Sequence, residues 1–366
     1  MDARAVLVVN AGSSSLKLRV LGASEEPLVA RDLGADADWQ RGLESFLNDS
    51  PEPDAAGHRV VHGGDRFTGP VRIDAGVEHQ LQELADLAPL HNPPAVRGIE
   101  ALRELRASLP AIACFDTAFH SSLPNAASTY AVPAAWAERW QLRRFGFHGL
   151  SHAYCAARAA QLLDRPLVEL RLVTAHLGAG ASLAAVREGR SVDTTMGFTP
   201  LEGLVMATRS GSVDPGLVLW VQTHGGVDAA ATEHALEHES GLLGISGRSA
   251  DMRELLVAAD GGHERSALAI EVYLHRLRAS VAAMAAAMGG IDALAFTGGV
   301  GEGSTAIRAR ACEGLEFLGL RVDGKRNATA DDTDRVISPD GPTAVLLVHA
   351  REDLEIARQV RETLAG

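Results

Sequence analysis

The chain has 366 residues, 46% apolar and 22% charged, an ordinary globular composition but more than one core usually holds, so two domains are expected. Its formal charge of −13, with 34 Lys and Arg against 47 Asp and Glu, excludes a general nucleic-acid or anionic-membrane surface while leaving room for a locally basic cleft. Three unpatterned cysteines fit a reducing cytoplasm, and the sequence shows neither an apolar leader nor a run long enough to span a bilayer.

In chain order, strands are expected at 5–9, 16–21, 58–62, 111–115, 171–177, 182–186, 293–297 and 344–348. Helices are expected at 78–87, 93–107, 150–163, 214–224 and 264–288, the last stopped by Gly289-Gly290. This alternation predicts α/β architecture. Between the first two strands lies Asn10-Ala11-Gly12-Ser13-Ser14-Ser15-Leu16-Lys17. A Gly/Ser turn brings backbone N–H groups and hydroxyls to a ligand, and the lysine adds fixed charge, a combination suited to phosphate. It lacks the Gly-Lys-Ser/Thr of a Walker loop, and a polar hairpin turn is the plain alternative. Shifted by 166 positions, Val6–Gly12 overlies Leu172–Gly178, and the second copy continues as Gly178-Ala179-Gly180-Ala181-Ser182 into a third strand near Ser191–Thr194. Two half-molecules each presenting such a turn would face one cleft, with a boundary near 117–124.

Six polar clusters follow. In His58–Gly64 an arginine, Arg59, sits inside an apolar strand, where it is either paired or lines an anion site. Ala88–Pro94 fixes the backbone before a helix, with Asn92 as its cap and His91 either structural or functional. Asp116 ends a buried strand, a common place for an acid that holds a reacting group. His148 stands between Phe147 and Gly149, and its i,i+4 spacing to His152 raises zinc, although no local acid or cysteine completes a ligand set. The long segment Met196–Gly216 carries Arg209, a second candidate anion clamp. Phe296–Ser304 is a strand running into a Gly-rich turn that fails the dinucleotide spacing. His234-Ala235-Leu236-Glu237-His238 matches an inverse zinc-peptidase pattern, read here as a solvated helix face.

From Val6 to about Ala357 the sequence resembles the acetate kinase family, which includes propionate kinases. The likeness rests on Asn10–Lys17, His58–Gly64, Ala88–Pro94, Phe115–His120, Phe145–His152, Met196–Gly203 and Ser212–Gly216. It implies a duplicated ribonuclease H-like α/β fold of the actin, Hsp70 and sugar-kinase superfamily, two domains around a central cleft, and a homodimer. The domains would be 1–120 plus 350–366, on the acceptor and metal side, and 121–349, for nucleotide and dimerisation. The implied reaction is reversible transfer of the ATP γ-phosphoryl to acetate with Mg²⁺, or Mn²⁺ in its place, giving acetyl phosphate and ADP. Propionate as acceptor, or pyrophosphate or another nucleotide as donor, is the runner-up, and a non-catalytic nucleotide-binding protein is the remote reading.

The resemblance assigns Arg59, Asp116, His148, Arg209 and His91 to catalysis, and Arg59, Val61, Leu90, Phe147 and Pro200 to the acceptor. It assigns Ser13, Ser15, Lys17, His176, Gly178, Gly180, Asp251, Arg253, Gly299, Gly301 and Gly303 to the nucleotide, and Asn10 and Glu352 to the metal. Departures gather on the donor side. The family's Leu-Gly-Asn-Gly-Ser appears as Leu177-Gly178-Ala179-Gly180-Ala181, its Gly-Glu-Asn as Gly301-Glu302-Gly303, and Arg351 replaces an Asn.

Overall fold

The computed structural model describes residues 4–12, 15–24, 26–34, 37–84, 92–329, 331 and 333–366. They form two compact units. The first comprises Met1–Ser121, Phe147–Tyr154 and Arg351–Gly366; the second comprises Ser122–Gly146 and Cys155–Ala350. Phe147–Tyr154, placed by the sequence reading in the C-terminal domain, groups with the first unit because Leu150 packs in its core and Gly149 N–H donates to the Asp116 carbonyl at 2.9 Å.

Six strands make the sheet of the first unit: β1 (Val6–Ala11), β2 (Ser15–Leu21), β3 (Pro27–Gly34), β4 (Ala55–Val60), β5 (Val71–Arg72) and β6 (Ala111–Phe115), in the order β3-β2-β1-β4-β6-β5. β1, β4 and β6 run parallel at the centre, with antiparallel partners outside them. Because a strand alternates its side chains, Val6 and Val8 of β1 face a core completed by Ile356, Ala357 and Val360 of the helix Glu352–Ala365. Leu7 and Val9 face the opposite core, with Leu43, Phe46 and Leu102. Gly57 lets the C-terminal helix come down on β4, since a Cβ there would lie 2.7 Å from Val360 Cγ2.

The second unit repeats the plan. Its strands are β7 (Arg171–Leu177), β8 (Ala181–Arg187), β9 (Arg190–Thr194), β10 (Ala293–Thr297), β11 (Arg335–Val336) and β12 (Ala344–Leu347), in the order β11-β12-β10-β7-β8-β9. The β7-β8-β9 meander matches β1-β2-β3, the parallel trio β7-β10-β12 matches β1-β4-β6, and antiparallel β11 flanks β12 as β5 flanks β6. The 166-residue echo is thus the start of a six-strand duplication. The helix Glu264–Met288 buries one long apolar face in this unit and stops at Gly289, whose φ of 70° is the left-handed cap expected of glycine.

Two elements between 21 and 58 escape the apolar pattern: the edge strand β3, which buries none of its residues fully, and the helix Trp39–Asn48, capped by Asp38. Asn92 does not act as the expected cap. Its fully buried amide accepts from His62 N–H and donates to His62 C=O, both at 3.0 Å, which fixes the backbone beside Val61. Among the described residues, no helix is long and apolar enough to cross a membrane.

Candidate active site

The strand period brings the charged residues of the first unit together. Val6, Val8 and Asn10 share one face of β1. In register with them on parallel β4 stand Ala55, Gly57 and then Arg59; Ile112 and Cys114 precede Asp116 on the same face of β6. Asn10, Arg59 and Asp116 therefore lie at the carboxyl ends of three neighbouring parallel strands, where open α/β sheets bind ligands. The C-terminal helix covers the apolar part of that face, and its first residue is Glu352.

The contacts follow from this placement. Arg59 Nη2 donates to Asp116 Oδ2 at 2.6 Å and Nε donates to the same oxygen at 3.1 Å. Nη1 donates to Asn10 Oδ1 at 3.2 Å, Asn10 Nδ2 donates to Glu352 Oε2 at 3.1 Å, and Arg59 Nε lies 3.9 Å from Glu352. Asp116 is 1% exposed and its Oδ1 has no hydrogen-bond partner among the described residues. Burial holds the Asp116 carboxyl above the ordinary carboxylate range, against the opposing charge of Arg59. For Arg59, burial favours the neutral form, but Asp116 and Glu352 outweigh it and keep the guanidinium firmly charged. Lys17 lies exposed on β2 directly opposite Asn10, so an antiparallel pairing puts both side chains on one face. Ser15 begins the same strand, half-buried.

Among the described residues, His148 is the only site candidate other than glycine with a left-handed backbone, at φ 57°. Its neighbours hold that conformation. His120 Nε2 bonds the Phe147 carbonyl at 3.0 Å, His152 N–H donates to the His148 carbonyl at 2.9 Å, and the His120 and His152 rings meet edge to face. A non-glycine residue kept in this region points to a functional constraint. Phe147 itself is fully buried, edge-on to His62, and Val61 is buried near the start of the same Gly-containing turn. Ser13, Leu90 and His91 lie outside the described residues.

The second unit holds the remaining candidates. His176 sits on β7 opposite Ser182 and Thr297, at the position equivalent to Asn10. Leu177 pairs with Ala181, so Gly178-Ala179-Gly180 is a three-residue hairpin loop, closed by Gly178 N–H to Gly180 C=O at 3.0 Å. The Gly-rich turn after β10 is itself a short helix, Gly298–Gly303. Gly298, at φ 79°, packs against the Leu177 backbone, while Gly299 and Gly303 have open space where a Cβ would go. Glu302 Oε1 accepts from Gly298 N–H at 2.8 Å and Ala350 N–H at 2.9 Å, a structural role.

Asp251 caps the helix Met252–Asp260 and pairs with Arg253 at 2.6 Å; hydrogen bonds from Arg253 pull its carboxyl down to about 2. Arg209 is half-buried, with Nη1 3.5 Å from the Pro200 carbonyl and Nε 2.8 Å from Glu237 Oε2. That last partner belongs to the zinc-peptidase-like pattern. Among the described residues, no group of three or more His, Cys, Asp or Glu could hold a metal ion.

A duplicated sheet with a hairpin after the first strand of each copy, and a charged cluster of Arg59, Asp116 and Glu352 at the parallel strand ends, is the architecture shared by actin and sugar kinases. The profile of the Acetokinase family matches residues 40–358. The acetate kinase of Deinococcus deserti is 46% identical, with 98% of this chain and 98% of that protein covered. The crystal structure of Porphyromonas gingivalis acetate kinase superposes with a TM-score of 0.91 at 36% identity, covering 98% and 99% of the two chains. A propionate kinase from Francisella tularensis superposes with a TM-score of 0.89 at 34% identity over 97% and 98%. The chain belongs to the acetokinase family, phosphotransferases that use ATP and a carboxyl acceptor.

Proposed function

We propose that this chain transfers the γ-phosphoryl group of ATP to acetate, reversibly, giving acetyl phosphate and ADP by direct in-line transfer. The observation that carries the reading is the buried Arg59–Asp116 pair tied to Asn10 and Glu352 at the carboxyl ends of the central strands. Transfer between two anions needs charge neutralisation and alignment more than a nucleophilic side chain. In the first unit, Arg59 and exposed Lys17 supply positive charge, and Asp116 fixes the Arg59 guanidinium by two hydrogen bonds to one oxygen. His148 supplies a donor on a fixed backbone. In the second unit, Arg209 supplies a further cation, and the Gly178–Gly180 hairpin with the Gly298–Gly303 helix offers backbone to the nucleotide. Acetate is already ionised near neutral pH, so no general base is required.

The oxygens of Asn10, Asp116 and Glu352 fit Mg²⁺ in kind, because that ion takes one or two carboxylates and completes its shell with water and phosphate. Asp116 Oδ1, buried and without a side-chain partner among the described residues, supports the fit. Asn10 and Glu352 would hold the ion, Asp116 would orient its water, and the metal would supply neutralisation of the phosphate oxygens. The protein acts as a cytoplasmic homodimer in this reading. The helix Pro215–His224 buries none of its residues, and Leu217, Leu219 and Trp220 are each more than half exposed, a surface that suits a second copy.

Purified protein with Mg-ATP and acetate is expected to form an acyl phosphate that hydroxylamine traps; absence of the hydroxamate, with a positive control, overturns the proposal. Propionate in parallel sets the acceptor, since one methylene is worth only about 1–3 kcal/mol in an apolar site.

A further inference from the structure

The loop that carries Arg209 is bound along its length to the end of the helix Ala229–His238 and the start of the next, Gly241–Ser246. Thr208 Oγ1 donates to the Glu237 carbonyl at 2.8 Å, and Ser210 N–H donates to the Leu236 carbonyl at 3.0 Å. Ser240 N–H returns to Thr208 C=O at 2.8 Å, and Leu242 N–H to Met206 C=O at 2.9 Å. The Leu236 and Glu237 carbonyls belong to the last turn of the helix Ala229–His238, where no intrahelical donor remains for them. Gly241, at φ 61°, permits the approach, because a Cβ there would lie 2.6 Å from the Arg209 carbonyl.

Within this frame Glu237 makes the side-chain contact as well. Its carboxylate lies 2.8 Å from Arg209 Nε, with 13% of its side chain exposed and 20% of the arginine's. His234 and His238, the other residues of the pattern, are both exposed on the same helix. Arginine carries its charge on a long flexible stem, so an ion pair with a half-buried carboxylate restricts that freedom and fixes where the guanidinium sits. A fixed cation costs less reorganisation as charge develops on a transferring group.

We propose that Glu237 is a positioning residue for Arg209, holding the guanidinium in the orientation that receives the anion. This rests on the reading above that Arg209 binds the substrate anion. Glu237 touches neither substrate in this assignment; it acts through Arg209 alone.

The test is a double-mutant cycle in the full-length enzyme, with steady-state kinetics and a thermal unfolding midpoint for each variant. Glu237→Gln keeps the volume and removes the charge. It is expected to lower kcat about 10- to 100-fold, the scale of a displaced aligning group, with KM for ATP within about twofold. Glu237→Asp, which keeps the charge, is expected to recover part of the loss. In an Arg209→Ala background, Glu237→Gln is expected to change kcat by less than about twofold, the non-additivity of groups that act as a unit. Unchanged or faster turnover in Glu237→Gln, while Arg209→Ala is inactive, overturns the positioning role and leaves the anion-site reading standing. An equal fall in both backgrounds overturns it too. Near-normal turnover in Arg209→Ala removes the anion-site reading, and this inference with it.

Discussion

Removing Arg59 is expected to damage the fold as well as the chemistry. Arg59→Ala deletes both hydrogen bonds to Asp116 Oδ2, at 2.6 and 3.1 Å, and strands a carboxylate that is 1% exposed and has no other side-chain partner among the described residues. Breaking a buried ion pair from one side costs about 3–5 kcal/mol. Asp116→Asn is milder, about 1–3 kcal/mol, because Arg59 keeps Asn10 at 3.2 Å and Glu352 at 3.9 Å. The double variant Arg59→Ala/Asp116→Asn leaves no stranded charge, so it should be less destabilised than the two single losses added, by about 2 kcal/mol.

Urea unfolding of the four proteins at pH 7.5, followed by circular dichroism, reads these differences directly. The pH dependence adds a sign. Burial already holds the Asp116 carboxyl above the unfolded value of 3.8, and loss of Arg59 raises it further. In Arg59→Ala the folded state therefore binds the extra proton, and its deficit relative to the parent should shrink as pH falls from 8 towards 5. Strict additivity, or a deficit independent of pH, refutes the view that this pair is coupled by buried charge. Activity is read on the folded fraction, where Arg59→Ala is expected to lose at least about 100-fold in kcat, the scale of a lost preorganised donor.

His58, His62 and His120 are each pushed down to about 4 by burial, below an unfolded value of 6.5, so the unfolded chain takes up protons first. Their contribution to stability is complete above about pH 6.5 and is lost as pH falls towards 4, totalling about 5 kcal/mol between pH 7 and 5. A urea midpoint unchanged over that interval would contradict this, and His58→Leu should flatten the slope by about a third. Gly149→Ala places a Cβ into the Asp116 carbonyl oxygen and 2.9 Å from Phe119 Cβ, so the melting temperature is expected to drop by several degrees; a melt within one degree of the parent counts against that packing. Gly303 has open space for a side chain, and Gly303→Asn is expected to lower KM for ATP about 2- to 10-fold relative to GTP and pyrophosphate, one hydrogen bond's worth. A donor panel with no shift removes the base-recognition role of that position.

Parallel strands buried on both faces read as continuous apolar runs, and Val6–Val9, Ile112–Phe115 and Leu294–Phe296 need no alternation to be recognised; β4, expected at 58–62, lies at Ala55–Val60 because Gly57, His58 and Arg59 interrupt its run. β3 was hidden by the same logic, since its alternating exposure leaves Pro27–Gly34 without such a run. The helix Trp39–Asn48 does carry a sequence signal, the cap at Asp38 before Leu43, Phe46 and Leu47. Individual site residues were visible as polar groups in apolar settings. Their partnerships were not, because the contact between Asn10 and Glu352 spans 342 positions and depends on register. Glu237 was misjudged for a related reason. Five residues of local pattern read as a solvated helix face, while its partner, Arg209, is chosen by the fold.

The helix Glu352–Ala365 has a consequence for how the chain is made. During synthesis β1, β4 and β6 emerge long before Ile356, Ala357 and Val360 exist to cover one face of their sheet. The first unit is thus the last to be finished, although its strands are the first to appear. For most of translation that bare apolar face is open to chaperones and to wrong partners; the second sheet waits for β12 at Ala344–Leu347 and is completed only just before it. Loss of the final helix would then be felt first as aggregation of nascent protein, before any measurement of turnover could be made.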